Sequence, residues 1–257
     1  MAYNEFAYFY DEFNDDADYT ALFTAVTDRL RAHGVADGIV VDLGCGTGDL
    51  TLMLAQAGYD MIGVDQSEEM LAVLREKAAE LGVEGLLLLR QDLLELDLYG
   101  TIRAAVSTFD TFNHIGPLPR LEQAIARAAL FMEKDGVFVF DMNTPYKHTH
   151  ILADNTFTLE AEDALCVWQN HLEPENQRTR ISIRITYPDS GEACDEEFYE
   201  YWYTLEQVRA ICEAHGLSVV DVRDGESFGA CTDTSQRWLI TAIKQYTQEE
   251  RETTCPI

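Results

Sequence analysis

The sequence predicts an α/β fold, a mostly parallel seven-stranded sheet doubly wound by helices, into which a small antiparallel β sheet is inserted. Three observations predict it. Apolar runs of strand length alternate with helical patterns along most of the chain. Those runs are apolar on both faces, as strands covered by helices on both sides must be. Between residues 156 and 203 the rhythm changes to alternating segments separated by turn-like clusters such as "EPENQ" and "PDSGEA".

Taken in order, "YTALFTAVTDRLRAHG" has helical spacing and a glycine stop at Gly34, and "GIVVDLG" reads as the first buried strand. "DLTLMLAQAG" is a short helix and "DMIGVD" the second strand. In "SEEMLAVLREKAAELG", Ser67 is placed to cap a helix whose apolar stripe is Met70, Leu71, Leu74 and Leu81. "GLLLLR" and "IRAAVS" are the third and fourth strands, "PRLEQAIARAALFMEKDG" a helix running to Gly136, and "VFVFDM" the fifth strand. After the inserted segments "TFTLEA", "ALCVWQNHL", "RTRISIRITY" and "EEFYEYWY", the chain returns to helix in "TLEQVRAICEAHG". It ends with strands in "LSVVDVRD" and "QRWLITAIK" and a polar tail, "QEERETTCPI", expected to fray.

The charge balance narrows the function. Against 46 Asp and Glu stand 18 Lys and Arg, a formal net charge of −28. Such a surface repels nucleic acid and anionic membranes, and the only local basic series is Arg178, Arg180 and Arg184. The start, "MAYNEFAYFYDEF", has neither the basic head nor the apolar stretch of a secretory signal, and no apolar run is long enough to span a bilayer, so a cytoplasmic location is expected. The six cysteines show no C-x-x-C pair and no metal-like spacing with the six histidines; reduced thiols and no metal are expected.

The chemistry is concentrated in "VVDLGCGTGD", residues 40–49. Strand, glycine turn and helix make a nucleotide-type site at the carboxyl end of a sheet. A nicotinamide fingerprint requires a small residue where Asp49 stands. Two like charges ~4 Å apart oppose each other by about 4 kcal/mol at an effective dielectric near 20, so a pyrophosphate is disfavoured. The lysine and hydroxyl of a Walker loop are absent. A ligand with ribose and adenine but positive charge in place of phosphate suits acidic flanks, and S-adenosylmethionine is such a ligand.

At these residues the chain resembles the class I S-adenosylmethionine-dependent methyltransferases, whose fold is Rossmann-like. "VVDLGCGTGDL" is similar to their first motif, "GVDQSEEML" to their second and "RQDLLEL" to their third, which sets Asp42, Asp65 and Asp92 at the ends of successive strands. The resemblance implies Asp42, Gly44, Cys45 and Gly46 around the methionyl part, Asp65 on the ribose hydroxyls, Gln66 and Met70 beside adenine, and Asp92 with Leu93 at its edge. "YNEFAYFYD" resembles the Y-x-x-F-A-x-x-Y-D segment of a small-molecule group within the family, making Tyr3, Phe6 and Tyr10 candidates to cover the cofactor. "STFDTFNHI" is similar to that group's fourth motif: Thr108 and Phe109 would lie along the cofactor, and Asp110 and His114 are the candidate catalytic base or acceptor-orienting groups.

The expected organisation is a cofactor-binding domain of residues 1–150 and 204–246 with residues 151–203 as an inserted substrate lid. Some rings of its series Phe198, Tyr199, Tyr201, Trp202 and Tyr203 are expected to face the pocket or a partner subunit and some the solvent. The expected activity is methyl transfer to a small-molecule acceptor, an amine or amino sugar before a hydroxyl, leaving S-adenosylhomocysteine, in a monomer or homodimer without nucleic-acid or membrane partners. An RNA or protein methyltransferase, a non-catalytic cofactor-binding module and a nicotinamide oxidoreductase are the rival readings.

Overall fold

A computed structural model describes residues 18–161 and 163–245. The Tyr3, Phe6 and Tyr10 candidates and the C-terminal tail lie outside the described residues. In chain order the elements are α1 (Tyr19–Ala32), β1 (Ile39–Leu43), α2 (Asp49–Gln56), β2 (Asp60–Asp65), α3 (Glu68–Glu80), β3 (Leu87–Arg90), β4 (Ile102–Ser107), α4 (Leu118–Phe131) and β5 (Met132–Asn143). They continue with β6 (Thr156–Glu160), β7 (Leu165–Glu173), β8 (Arg178–Thr186), β9 (Ala193–Tyr201), α5 (Leu205–Ala214), β10 (Leu217–Asp224) and β11 (Arg237–Lys244).

Seven strands form one sheet in the order β10-β11-β5-β4-β1-β2-β3, and β6 to β9 form a separate antiparallel sheet. In the large sheet only β11 runs against its neighbours β5 and β10. Because β1 pairs with both β2 and β4, the winding reverses beside β1, and the crevice at its carboxyl end is where such sheets bind ligands.

The period-two alternation of β5 divides the core. Phe138 and Phe140 face α4 and α5 through Leu121, Ile125, Val208 and Ile211. Val137 and Val139 face α1 and α2 through Leu22, Val26, Leu30 and Leu54. Each fully buried side chain of this kind contributes roughly 1.5–3 kcal/mol, so both faces must be covered. α3 closes the second face with Leu71 and Leu74 against Leu52 of α2. Its cap is Ser67, whose hydroxyl accepts the Met70 N–H at 3.2 Å, but Leu81, expected in its stripe, is the exposed C-cap.

The helix expected to run to Gly136 stops at Phe131. Met132 is buried and pairs in parallel register with Ile102, so burial of the methionine draws the chain into β5 five residues early, with Glu133 to Asp135 forming an exposed irregularity. The small sheet has its own apolar interior, built from Cys166, Ile181, Ile183, Ile185 and Phe198.

Candidate active site

The loop after β1 is folded by its own backbone. The N–H groups of Gly44 and Cys45 both donate to the Val64 carbonyl, at 2.7 and 3.0 Å, which pulls the turn onto the end of β2. Gly44 and Gly48 both have positive φ, 73° and 87°. A Cβ on Gly44 would come 2.3 Å from the Thr111 side chain, and one on Gly48 would come 2.0 Å from Leu74, so both positions require glycine for space as well as conformation. Asp65 then fastens the loop: its Oδ2 accepts the Gly46 N–H at 3.0 Å and its Oδ1 the Ser67 N–H at 2.9 Å. Burial raises the Asp65 carboxyl against these hydrogen bonds.

An open cleft of about 870 Å³ runs from this loop across the ends of β2, β3 and β4. Gly44, Gly46, Asp65, Gln66, Met70, Asp92, Leu93, Phe109 and His114 are on its wall. A smaller recess of about 360 Å³ is lined by Asp42, Cys45 and Thr108 and shares Gly44, Gly46 and Phe109 with the cleft. The structure thus brings together every described residue of the expected site except Asp110, which sits behind the wall. Reading the sequence missed Ser67, Gln91, Thr111, Ile115 and Arg120, which also line the cleft; nothing but their nearness in sequence to the motifs marks them.

The donor set fits a cationic, phosphate-free nucleoside. Asp42 is buried, its Oδ2 accepts from the Thr51 hydroxyl, and its Oδ1 has no hydrogen-bond partner among the described residues. Burial, relieved by Thr51 and reinforced by the charge of Asp65, pushes its carboxyl up to about 7. A positive group beside Oδ1 would offset that burial. Asp49 does not oppose a pyrophosphate as expected, because Lys77 of α3 pairs with it at 2.9 Å and offsets its charge; the acidity that does so belongs to Asp42 and Asp65. Cys45 is no nucleophile, since burial and these two acids raise its thiol well above the ordinary value.

A pH dependence follows. Because the folded-state value of Asp42 lies above the ordinary carboxylate value, the stability it confers is present below about pH 4 and is lost as pH rises towards about 7. A bound cation favours the ionised form, so cofactor binding should release a proton, with affinity rising up to about tenfold per pH unit between about pH 5 and 7. Calorimetry in buffers of different ionisation enthalpy measures this; no proton release across that window would remove Asp42 from the site.

Beyond Phe109 the site becomes a buried charge network. Phe109 and Asp110 both hold a left-handed backbone, φ 55° each. Asp141, at the end of β5, accepts their N–H groups at 2.8 and 2.7 Å. Arg237 of β11 bridges Asp141 and Asp110, 3.0 Å from each. The other oxygen of Asp110 lies 3.4 Å from His114 Nε2. Phe112, wholly buried edge-on against Phe138 and Phe140, anchors the turn that carries His114.

Burial alone would raise Asp110, but the hydrogen bond of His114 and the charges of Arg237 and Lys147 outweigh it and hold the carboxyl well below its usual range. Burial would likewise lower His114, but Asp110 and the charge of Glu200 raise it. Asp110, His114 and Glu200 bring ligand-type atoms within 4.8 Å of one another. Both oxygens of Asp110 are already engaged, by Arg237 and His114, which makes the cluster an ion-pair network.

The inserted sheet abuts this network through β9. Asn113 donates to the Tyr201 carbonyl at 2.8 Å and accepts from the Asn143 N–H at 2.9 Å, and the Tyr203 hydroxyl donates to the Gly116 carbonyl. Of the five rings expected to divide between pocket or partner subunit and solvent, Tyr199 and Tyr201 are half-buried and the other three are buried. None lines the cleft among the described residues, because Phe198 fills the sheet's own interior and packs on His114 at 5.5 Å, Trp202 and Tyr203 are buried, and Tyr199 lies under Arg178.

Comparison with known proteins bears on this arrangement directly. Residues 40–136 match the family model described as a methyltransferase domain. A protein of Geobacillus sp. (strain WCH70) that bears a methyltransferase name is 28% identical over 250 residues, covering 95% of this chain and 100% of its own length. A protein of Streptomyces fradiae named dTDP-3-amino-3,6-dideoxy-alpha-D-glucopyranose N,N-dimethyltransferase is 26% identical over 223 residues, 84% of this chain and 82% of its own. The crystal structure of an S-adenosylmethionine-dependent methyltransferase from Clostridium acetobutylicum ATCC 824 matches with a TM-score of 0.85 at 25% identity, covering 96% of this chain and 100% of that one. With a solved S-adenosylmethionine-dependent enzyme similar along nearly the whole length, and a methyltransferase family model spanning the strands that build the cleft, the chain is a class I S-adenosylmethionine-dependent methyltransferase.

Proposed function

We propose that the enzyme methylates the nitrogen of a small-molecule amine, an amino sugar being the first candidate. The observation that carries this reading is His114, on the cleft wall with its basicity raised by Asp110. The bound cofactor supplies a methyl group activated on a sulfonium. An amine reaches the cleft as an ammonium and must lose a proton before its lone pair can attack; a histidine suits that task, and once neutral the amine needs no further base, whereas a hydroxyl must pass its proton to the base in step with its attack. Alignment of the nucleophile is the other requirement, and Phe109, fixed by Asp141, supplies a rigid wall for it.

The acidic surface favours cationic acceptors, and the name of the Streptomyces fradiae relative describes an amino-sugar substrate of that protein. A nucleic-acid acceptor is disfavoured: Arg178, Arg180 and Arg184, on β8, pair with Glu173, Glu197 and Asp195. In this reading residues 18–150 and 204–245 carry the cofactor and residues 151–203 cover the acceptor. Among the described residues no helix is long and apolar enough to cross a membrane.

The test is turnover of a metabolite extract with methyl-labelled cofactor, the product identified by mass spectrometry. An N-methylated small molecule is expected, formed at a rate that rises with pH through the elevated His114 value, because only the neutral ring accepts a proton. Label found on a hydroxyl oxygen, on RNA or on protein would overturn the reading.

A further inference from the structure

We propose that Glu200 is a positioning residue for the methyl-transfer site, reaching from the inserted sheet to hold the His114 ring between two carboxylates. Glu200 lies on β9 and is buried, 3% exposed. Its Oε1 is 3.9 Å from His114 Nε2, on which Asp110 Oδ2 also converges at 3.4 Å. Its Oε2 accepts from Asn143 Nδ2 at 3.2 Å and stands 3.8 Å from His148 Nε2, which has no hydrogen-bond partner among the described residues. Glu200 is not on the cleft wall, so it acts on an acceptor only through His114.

A second buried carboxylate beside Asp110 is costly unless something positive lies between them. Lys147 and Arg237 contribute to that balance from one side, with Asp141 opposing them, and buried His148 contributes none while its ring is held neutral by burial. The group placed between both acids is the His114 ring, so its proton is favoured jointly by Asp110 and Glu200. The consequence concerns the whole sheet: Asn113 to Tyr201, Phe198 on His114 and Glu200 on His114 are three contacts from one strand to one turn. Seating β9 therefore sets both the orientation and the proton affinity of that ring, and the insert completes the site as well as covering it.

This inference rests on the reading of His114 as proton acceptor, yet its first test needs no acceptor. Histidine-labelled protein is titrated by NMR, the His114 resonance being assigned by its loss in His114→Asn. Glu200→Gln should move the His114 midpoint to lower pH, and Glu200→Asp should restore part of the shift. Calorimetric affinity for S-adenosylmethionine should stay within about twofold in both variants, showing a folded cofactor site. With an N-methylated product in hand, the rising limb of kcat against pH should move with the NMR midpoint while KM for the cofactor does not.

An unmoved His114 midpoint in folded Glu200→Gln, or lost stability in both variants with the midpoint of Glu200→Asp unchanged, would reduce Glu200 to a structural residue and overturn the proposal. So would stoichiometric binding of zinc or manganese that is lost in Glu200→Gln. If the midpoint moves but the product is O-methylated, the N-methylation reading fails and the positioning role stands.

Discussion

Asp65→Ala is expected to weaken S-adenosylmethionine binding by about two to three orders of magnitude while leaving the fold intact. Three losses combine. The resemblance places this carboxylate on the ribose hydroxyls, where charge-assisted hydrogen bonds contribute roughly 1.5–3 kcal/mol each. Removing it also frees the N–H groups of Gly46 and Ser67, which it holds at 3.0 and 2.9 Å, so the glycine turn loses its tie to the end of β2. A third loss is negative charge near a cationic ligand. About 3–4 kcal/mol corresponds to the stated range. Calorimetry measures it, and wild-type affinity in a folded variant would contradict the site. Asp65→Asn, which keeps an acceptor but not the charge, should fall between.

Asp141→Ala should have the largest effect on stability. The carboxylate accepts two N–H groups from residues with positive φ and pairs with Arg237, and it is 2% exposed. Its removal strands both donors and takes one of two carboxylate partners from Arg237. Truncating one member of a buried pair costs about 3–5 kcal/mol. Burial already makes Asp141 harder to ionise than an ordinary aspartate, which argues for the low end, about 3 kcal/mol. For a chain of this size that lowers Tm by roughly 6–12 °C. Turnover should fall further than stability requires, because Phe109 and Asp110 relax from the geometry that aims His114. A Tm within about 2 °C of wild type would show that the left-handed pair holds its shape without Asp141.

The loop side of the cleft was legible in the sequence and the charge network beyond Phe109 only in outline, for a physical reason. Asp42, Gly44, Gly46, Asp65, Met70 and Asp92 stand within a few residues of a strand end and line the cleft and its recess, so local pattern and strand order locate them together. The network around His114 is assembled across the fold. Asp141 and Arg237 are 96 positions apart and meet because β5 and β11 pair antiparallel. Glu200 arrives on a different sheet. The available signal was a charge at the margin of an otherwise apolar strand, Asp141 in "VFVFDM" and Arg237 before "WLITAIK", since such a charge is costly unless paired. The ring series of the insert misled for a related reason: alternation gives the two faces of a strand but not what each face meets, and here one meets the small sheet's own interior. Gly136 reads as the stop of α4, whereas burial of Met132 ends the helix at Phe131.

The independent apolar interior of the four-stranded sheet bears on how such an enzyme diversifies. Cys166, Ile181, Ile183, Ile185 and Phe198 give that module an interior separate from the core of the large sheet, so replacements on its outward positions should be felt weakly by the nucleotide crevice. If the insert covers the acceptor as proposed, acceptor preference can drift with little effect on donor recognition, except at seam positions such as Phe198, Glu200 and Tyr201, where the two must change in concert.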